Sequence, residues 1–424
     1  MEHIDKDTFK QIFRDHWDSF KAVNPRYNTA YYDEVIQKML DCGDPEKMGF
    51  AHYRCFNCGE ERRIAFSCKS SFCLSCAKPH TEQWTDFISR RLIPGVTYRH
   101  IVLTVPDFLR LWFYRNQDLL LSPLMKAGHA CLVDLFETCA GVTLDIGSII
   151  VLQTSGRPGN YNPHLHILCS GGGIDPQGNW KPISYIPFEV LHRKWQFHLL
   201  SMLREIIPFP NIEKDIDRGW RQYPKGFVAF VDKGEVPPGG QGLATYLAKY
   251  VVSPPISVKR IEHYDGDSVS YWYRDHKTGQ IEHTTLPSLR FIGRMVQHIL
   301  PKGFQRIRYY GFHANVRYAD MRETIAEILP VTQPPDPRGF RVLPRKPFAK
   351  LFSETFDKDP LLCPKCREPM DLELISHPKY GVIKDFTDEL FTEIFDERPT
   401  RQHEFPGRTL DGAKRMVQVS LPFL

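Results

Sequence analysis

The sequence predicts an α+β protein whose central sheet is largely antiparallel. Apolar β-branched runs and helical apolar stripes alternate without the regular strand–helix repeat of a parallel sheet. Two pairs of strand-like runs also lie close enough along the chain to form hairpins. The 424 residues, 42% hydrophobic and 25% charged, suffice for two or three domains and exclude a mainly disordered chain.

The first predicted region, residues 1–95, opens with a helix over residues 7–20. Phe9, Ile12, Phe13, Trp17 and Phe20 recur there at helical spacing. Cysteine-rich loops follow this helix, so we expect a helical N-terminal domain that binds metal.

The second region, residues 96–315, carries most of the predicted sheet. We predict strands at residues 100–105, 146–154, 164–169 and 227–231, and helices at 122–137, 187–206 and 243–252. Ser122 is the expected N-cap of the first of these helices, with Pro123 at its first position. Alternating runs at residues 258–263 and 269–273 predict another hairpin. Residues 316–424 form a third region, an extension that begins with Pro-rich linkers and later carries one CxxC pair.

No run of about 18 apolar residues and no N-terminal export signal is present, so we expect a cytoplasmic protein. In such a compartment the eleven cysteines should not form a disulfide framework. The net charge of +5 is mild and by itself identifies no partner.

Two CxxC pairs separated by 14 residues predict a structural zinc site with the ligands Cys55, Cys58, Cys73 and Cys76. Four protein ligands leave no open position for catalysis. Two questions stay open from the spacing. Cys68 could replace one of the four, or could join Cys42, His52 or His80 at a second ion. The distal pair Cys363–Cys366 could bind zinc with His377, Cys42 or Cys68, or could be a half-site without metal.

His164 and His166 occupy alternate positions of a predicted strand and therefore point to the same face of the sheet. Two imidazoles held in this way can bind one divalent ion. Gln153, on the preceding strand of the hairpin, is positioned to lie beside them. Two ordinary histidines on a half-exposed face would give the same pattern.

Tyr246 and Tyr250 lie four residues apart on a predicted helix and so share one face. A plain amphipathic core helix has the same periodicity. If the tyrosines are nucleophiles, this spacing allows two sequential attacks from one site, and Lys249 could balance the phosphate charge.

The segment from residue 286 to residue 350 has twelve lysines and arginines and four carboxylates, a net charge of +8. Aromatic residues are interleaved with these cations, a pattern typical of binding to unpaired bases. A solvated basic face over core aromatics is the alternative. The candidate DNA-binding residues are Lys249, Lys302, Arg306, Arg308, Tyr309 and Tyr310.

Taken in order, these motifs resemble the insertion-sequence-91 family of transposases, the two-tyrosine branch of the HUH single-strand endonucleases. The matching stretches are Cys55-Phe-Asn-Cys58-Gly59, Ser67-Cys68-Lys69 with Cys73-Leu-Ser-Cys76, Asn162-Pro-His164-Leu-His166, Tyr246-Leu-Ala-Lys-Tyr250-Val, and Pro301-Lys-Gly-Phe-Gln-Arg-Ile-Arg-Tyr-Tyr-Gly311.

The resemblance implies an N-terminal zinc-binding domain followed by an HUH nuclease domain with a central antiparallel sheet flanked by helices. It also implies that the protein cleaves and rejoins single-stranded DNA at element ends, in a rolling-circle manner. His164 and His166, with Gln153 by position, would bind Mg²⁺ or Mn²⁺, and Tyr246 and Tyr250 would form a 5′-phosphotyrosine bond without ATP. In a bacterium the protein would then be associated with the nucleoid. A replication initiator or relaxase with the same active site, and a non-catalytic zinc protein that binds nucleic acid, are the alternatives.

Overall fold

The computed structural model describes residues 6–208, 210–231, 247–248, 251, 254–275, 278–329, 359 and 361–387. Within these residues the chain forms one large and two small antiparallel sheets surrounded by helices, which confirms the predicted α+β class.

The central sheet has the strand order β11-β4-β5-β3-β7, and β6 pairs with the far end of β5. Its long β4–β5 hairpin and β3 confirm the strands predicted near residues 146–154, 164–169 and 100–105. Every strand pair is antiparallel. The strands are β3 (Tyr98–Thr104), β4 (Asp145–Ser155), β5 (Tyr161–Ile174), β6 (Trp180–Pro182), β7 (Ala229–Val231) and β11 (Ile307–Gly311).

Helices α6 (Gln117–Ala140) and α7 (Phe188–Ile206) cover one face of this sheet. Leu165 and Ile167 of β5 point to that face and are fully buried. Gly128 lets α6 approach closely, because a Cβ atom there would collide with the Leu165 side chain. This packing also accounts for the apolar character of α6, which is long and apolar enough to cross a membrane but is a core helix here.

The predicted start of α6 at Ser122 is wrong. The helix begins at Gln117, and Pro123 lies inside it. Pro123 is only the seventh helical residue, so the single hydrogen bond that it removes lies near the helix start. Tertiary packing of Leu120 and Leu121 in the core outweighs this local stop signal.

A second core joins the N-terminal helices to the part of the chain after residue 254. Phe9 of α1 (Lys6–Val23) contacts Phe291 of α9 (Ser288–Val296), with ring centroids 6.3 Å apart. This confirms the predicted N-terminal helix. The helix shares its core with α9, from a distant part of the chain. The small sheet on this core contains β8 (Ile261–Tyr264), β9 (Ser268–Arg274) and β10 (Ile281–Pro287), which confirms the second predicted hairpin.

The third sheet combines the two ends of the described chain, in the order β13-β12-β1-β2. Gly49 precedes β1 with φ +82°, and a Cβ atom there would collide with the Ser376 carbonyl of β12. Part of the predicted extension therefore lies in the same sheet as the cysteine-rich region. The strands are β1 (Phe50–Arg54), β2 (Glu61–Ala65), β12 (Asp371–His377) and β13 (Gly381–Asp385).

The remaining helices connect these units. They are α2 (Ala30–Asp41), α3 (Pro45–Met48), α4 (Ala77–Arg91), α5 (Arg110–Arg115), α8 (Glu213–Gln222) and α10 (Tyr318–Ile328).

Candidate metal sites and nucleic-acid interface

Eight cysteines form two separate four-sulfur clusters. The first contains Cys42, Cys68, Cys73 and Cys76, and the second contains Cys55, Cys58, Cys363 and Cys366. Two sulfur pairs in each cluster lie 3.5–3.6 Å apart, all sulfurs of a cluster lie within 4.8 Å of one another, and none is in a disulfide. Four sulfurs at the vertices of a tetrahedral zinc site with Zn–S bonds of about 2.3 Å would be about 3.8 Å apart. Each cluster therefore fits one structural Zn²⁺ ion.

The prediction of one zinc site shared by Cys55, Cys58, Cys73 and Cys76 is wrong. The first CxxC pair lies at the turn of the β1–β2 hairpin, and the chain then returns along β2 before it reaches Cys68. Five residues of extended strand span about 17 Å. The 14-residue spacer therefore carries the two pairs to opposite ends of the hairpin.

The distal pair Cys363–Cys366 completes the second cluster. Arg54 of β1 pairs with Asp371 of β12, and this register brings the tail beside Cys55. The partners considered for this pair are therefore wrong, since Cys42 and Cys68 belong to the first cluster and His377 is in neither.

The two knuckles of the second cluster have the same local turn. Cys55 N donates to Glu60 O and Cys363 N donates to Glu368 O, both at 2.8 Å. Each knuckle is followed by a residue with positive φ, Gly59 at 75° and Arg367 at 67°. A separate hydrogen bond, from the Glu368 backbone N–H to the Cys366 sulfur, is the largest cause that lowers the pKa of Cys366, to about 6. Such a thiol is a ready thiolate ligand.

The predicted histidine pair lies on the face of the central sheet opposite α6 and α7. Gln153 of β4 is directly across from His164, and Val151 is across from His166. This confirms that Gln153 is a cross-strand neighbour of the histidines. Gln153 is buried, and its Oε1 accepts a hydrogen bond of 2.9 Å from Thr154 N.

Both imidazoles are held in the neutral form. Burial lowers the pKa of His164 to about 4 and places the pKa of His166 well below its ordinary value. His164 Nδ1 lies 2.6 Å from the Asn162 carbonyl. Because a carbonyl only accepts hydrogen bonds, Nδ1 carries the proton and Nε2 keeps a lone pair, as a metal ligand requires.

A third histidine, His100 of β3, completes this polar patch. Its Nε2 lies 3.1 Å from His166 Nδ1, and the two rings stack at 5.4 Å. In the sequence, His100 is only the first residue of a predicted strand. The pairing of His100 with Leu168, two residues along β5 from His166, makes it a neighbour of the pair.

The predicted nucleophiles Tyr246 and Tyr250, and Lys249 between them, lie outside the described residues. Leu247 and Ala248 are helical. Together with Val251 they pack against Ile149, Val151 and Leu168. These contacts are on the same face of the sheet as His164 and His166.

The predicted DNA-binding residues that the structure describes do not share one surface. Arg308 donates to Ser122 Oγ on α6 at 2.6 Å, and Tyr310 stacks on His129 of the same helix. Arg306 donates to the Val251 carbonyl at 3.2 Å, and burial lowers its pKa to about 10. Tyr309 points to the histidine-bearing face, and Lys302 is exposed.

Two family models match the chain. The "Transposase zinc-binding domain" model covers residues 12–105, and the "Putative transposase" model covers residues 147–320. The transposase for insertion sequence element IS801 of Pseudomonas savastanoi pv. phaseolicola is 32% identical over 348 residues, 78% of this chain and 81% of that protein. The chain belongs to the insertion-sequence-91 family of transposases.

A second family relative extends over more of the chain. The "Putative transposase y4qJ" of Sinorhizobium fredii (strain NBRC 101917 / NGR234) is 27% identical over 373 residues, 84% of this chain and 92% of that protein. No solved structure matches the chain. The transposase is thus a DNA-processing enzyme with structural zinc, which agrees with the two cysteine clusters.

Proposed function

We propose that this transposase cleaves and rejoins single-stranded DNA at element ends through a 5′-phosphotyrosine intermediate, in a rolling-circle manner. The observation that supports this most directly is the pair of neutral imidazoles, of the half-buried His164 and the buried His166. They lie beside Gln153, on the sheet face where Leu247 and Val251 pack. The proposed place of action is the bacterial cytoplasm, at the nucleoid.

The donor set fits a divalent ion with oxygen and imidazole ligands. His164 and His166 would hold Mg²⁺ or Mn²⁺, with Gln153 Oε1 as the neighbouring amide oxygen. Such an ion supplies charge that stabilises the scissile phosphate as negative charge develops on its oxygens. His100 stacks on His166 and so holds the ring in place from the side of β3.

In the proposed reaction, Oη of Tyr246 or Tyr250 attacks the phosphorus and loses its proton. The bond from phosphorus to the 3′ oxygen breaks, and that oxygen takes up one proton from solvent, which balances the proton that Oη releases, and leaves as a 3′ hydroxyl. A phenol has an ordinary pKa of about 10, so its attack near neutral pH depends on charge stabilisation at the phosphate. The phosphotyrosine ester retains the energy of the broken bond, and a 3′ hydroxyl can reverse the step without ATP.

The test incubates the full chain with Mn²⁺ and a single-stranded oligonucleotide that carries an element end. We expect a covalent protein–DNA adduct on a denaturing gel. It should disappear when Tyr246 and Tyr250 are both changed to Phe and persist in Tyr185→Phe, which alters an exposed tyrosine. If the wild-type protein forms no adduct on any cognate end, the chain binds DNA without this chemistry.

The metal assignment has a test of its own. His164→Ala should abolish the adduct, whereas His263→Ala, at an exposed histidine of β8, should not. Gln153→Ala should raise the Mn²⁺ concentration that gives half-maximal cleavage. Undiminished cleavage by His164→Ala would contradict the assignment.

A further inference from the structure

A groove of about 620 Å³ opens between the first cysteine cluster, α4 and the edge strand β11. Lys69, the residue after the ligand Cys68, lies on one side. Gln153 and Val251 also line it. Gln153 is the cross-strand partner of His164, and Val251 follows Tyr250 in the sequence. The groove therefore leads from the zinc-binding region to the histidine-bearing face.

Three of the aromatic side chains that line this groove, Trp84, Phe87 and Tyr309, form a series of adjacent rings. The rings of Trp84 and Phe87 are 5.3 Å apart, and Phe87 and Tyr309 are 6.3 Å apart. Phe87 is 42% exposed, so its ring is accessible to a ligand in the groove. The Arg91 guanidinium stacks on Tyr309 at 4.5 Å and extends the series.

The charged side chains that line the groove are all positive. Among the described residues that line it, Lys69 and Arg306 are cationic and no residue is an aspartate or glutamate. Aromatic rings interleaved with cations match the flat bases and phosphates of an unpaired strand. In a duplex the base faces are already stacked on one another, so the same rings would gain little.

We propose that this groove binds the single strand, and that Trp84 and Phe87 of α4 stack on its bases and so guide it to the histidine-bearing face. This inference rests on the proposed function, because it names where that substrate lies. It adds Trp84 and Phe87, which neither the family motifs nor the basic segment indicated, and it gives the first cysteine cluster a role. A zinc ion there would fix the loop that carries Lys69.

The test measures binding of the full chain to a fluorescent oligothymidylate by anisotropy, without Mn²⁺ so that no cleavage occurs. Stacking contributes about 1–3 kcal/mol per base, which corresponds to about 5-fold to 150-fold in affinity. We expect the double variant Trp84→Ala/Phe87→Ala to bind the single strand at least tenfold more weakly. Its affinity for duplex DNA of the same length should stay nearly unchanged. Phe197→Ala, at an exposed ring of α7, is the matched control.

Two further measurements separate stacking from a folding defect. Trp84→Phe/Phe87→Tyr keeps both rings and should restore single-strand affinity. In the wild-type protein, 2-aminopurine in the oligonucleotide should lose fluorescence on binding because a stacked base is quenched. Unchanged single-strand affinity in the double alanine variant, or an equal loss for single strand and duplex, would overturn the inference.

The outcome is independent of the cleavage chemistry. If the wild-type protein forms no adduct but the double variant still loses single-strand binding, the groove stands and the proposed function fails. If the adduct forms equally well in wild type and double variant at limiting oligonucleotide, the proposed function stands and the groove fails.

Discussion

The two cysteine clusters have the same four-sulfur chemistry but differ in how the chain builds them. All ligands of the first lie between residues 42 and 76, whereas the second joins positions 311 residues apart in the chain. Among the described residues, the first cluster is part of a core of 21 buried residues, and the second belongs to a core of three. The first cluster is thus part of a hydrophobic core, whereas the second cluster crosslinks two distant segments of the chain.

The two ions would therefore have different structural roles. In the first cluster an ion would stabilise the loop beside the proposed DNA groove. In the second it would close a very long loop and hold β12 and β13 against β1. Because the ligands of the second cluster come from two distant segments, the second ion acts mainly on the docking of the tail.

The largest expected effect comes from Cys76→Ser in the first cluster. Cys76 is 1% exposed, and its loss would leave the two buried thiols of Cys42 and Cys73, and the partly exposed thiol of Cys68, without a complete site. Structural zinc contributes about 10–16 kcal/mol of apparent binding free energy in zinc-finger peptides, so the N-terminal core should unfold. Metal analysis should fall from two zinc ions per chain to one, and the melting curve should lose a transition. Cys139→Ser, at a half-buried thiol outside both clusters, is the control.

Cys363→Ser should have the next largest effect, and it should be local. One zinc ion per chain is again lost, but the central sheet should keep its melting transition because its core lies elsewhere. Limited proteolysis should now cut near residues 361–387. If Cys363→Ser unfolds as completely as Cys76→Ser, the second cluster also supports a core, and the proposed difference between the two clusters is wrong.

Metal removal tests the same comparison without a mutation. The second cluster has two partly exposed sulfurs, Cys58 and Cys366, and the first has only Cys68. A chelator should therefore remove the ion of the second cluster first. Release of zinc should follow two phases, and protease sensitivity of the tail should appear with the faster one. A single phase for both ions would argue against the comparison.

The smallest expected effect is that of Glu373→Gln on β12. The Glu373 carboxylate is largely buried and lies 3.0 Å from Arg54 Nε and 3.1 Å from His52 Nδ1. Its hydrogen bond is the largest cause that raises the pKa of Arg54. Loss of its charge should weaken the docking of β12 by about 1–3 kcal/mol while both zinc ions stay bound. Hydrogen exchange should accelerate in residues 371–377, and Glu282→Gln, at an exposed carboxylate of β10, should leave it unchanged.

For the proposed reaction, the first cluster is the one that lies near the residues proposed to act on DNA. The first cluster lies next to the groove that leads to Gln153 and His164. The second lies on the small sheet formed by the two ends of the described chain. Loss of the first ion should therefore impair single-strand binding more than loss of the second.

Several features follow from the sequence by local rules. Period-2 alternation places His164 and His166 on one face and Leu165 and Ile167 on the other, because successive strand residues point in opposite directions. The short loop between β4 and β5 makes Gln153 the neighbour of His164. Each CxxC pair is a half-site, because two thiolates three residues apart can reach one ion.

Only the tertiary structure decided which half-sites combine. The spacing in the sequence favours one site made of Cys55–Cys58 and Cys73–Cys76, but the intervening strand β2 separates these pairs. Strand β12 instead brings Cys363–Cys366 beside Cys55–Cys58. The approach of His100 to His166, and of Trp84 and Phe87 to Tyr309, depends equally on packing between distant segments. Spacing along the chain limits what neighbouring residues can reach, whereas contacts between remote residues depend on how whole strands and helices pack.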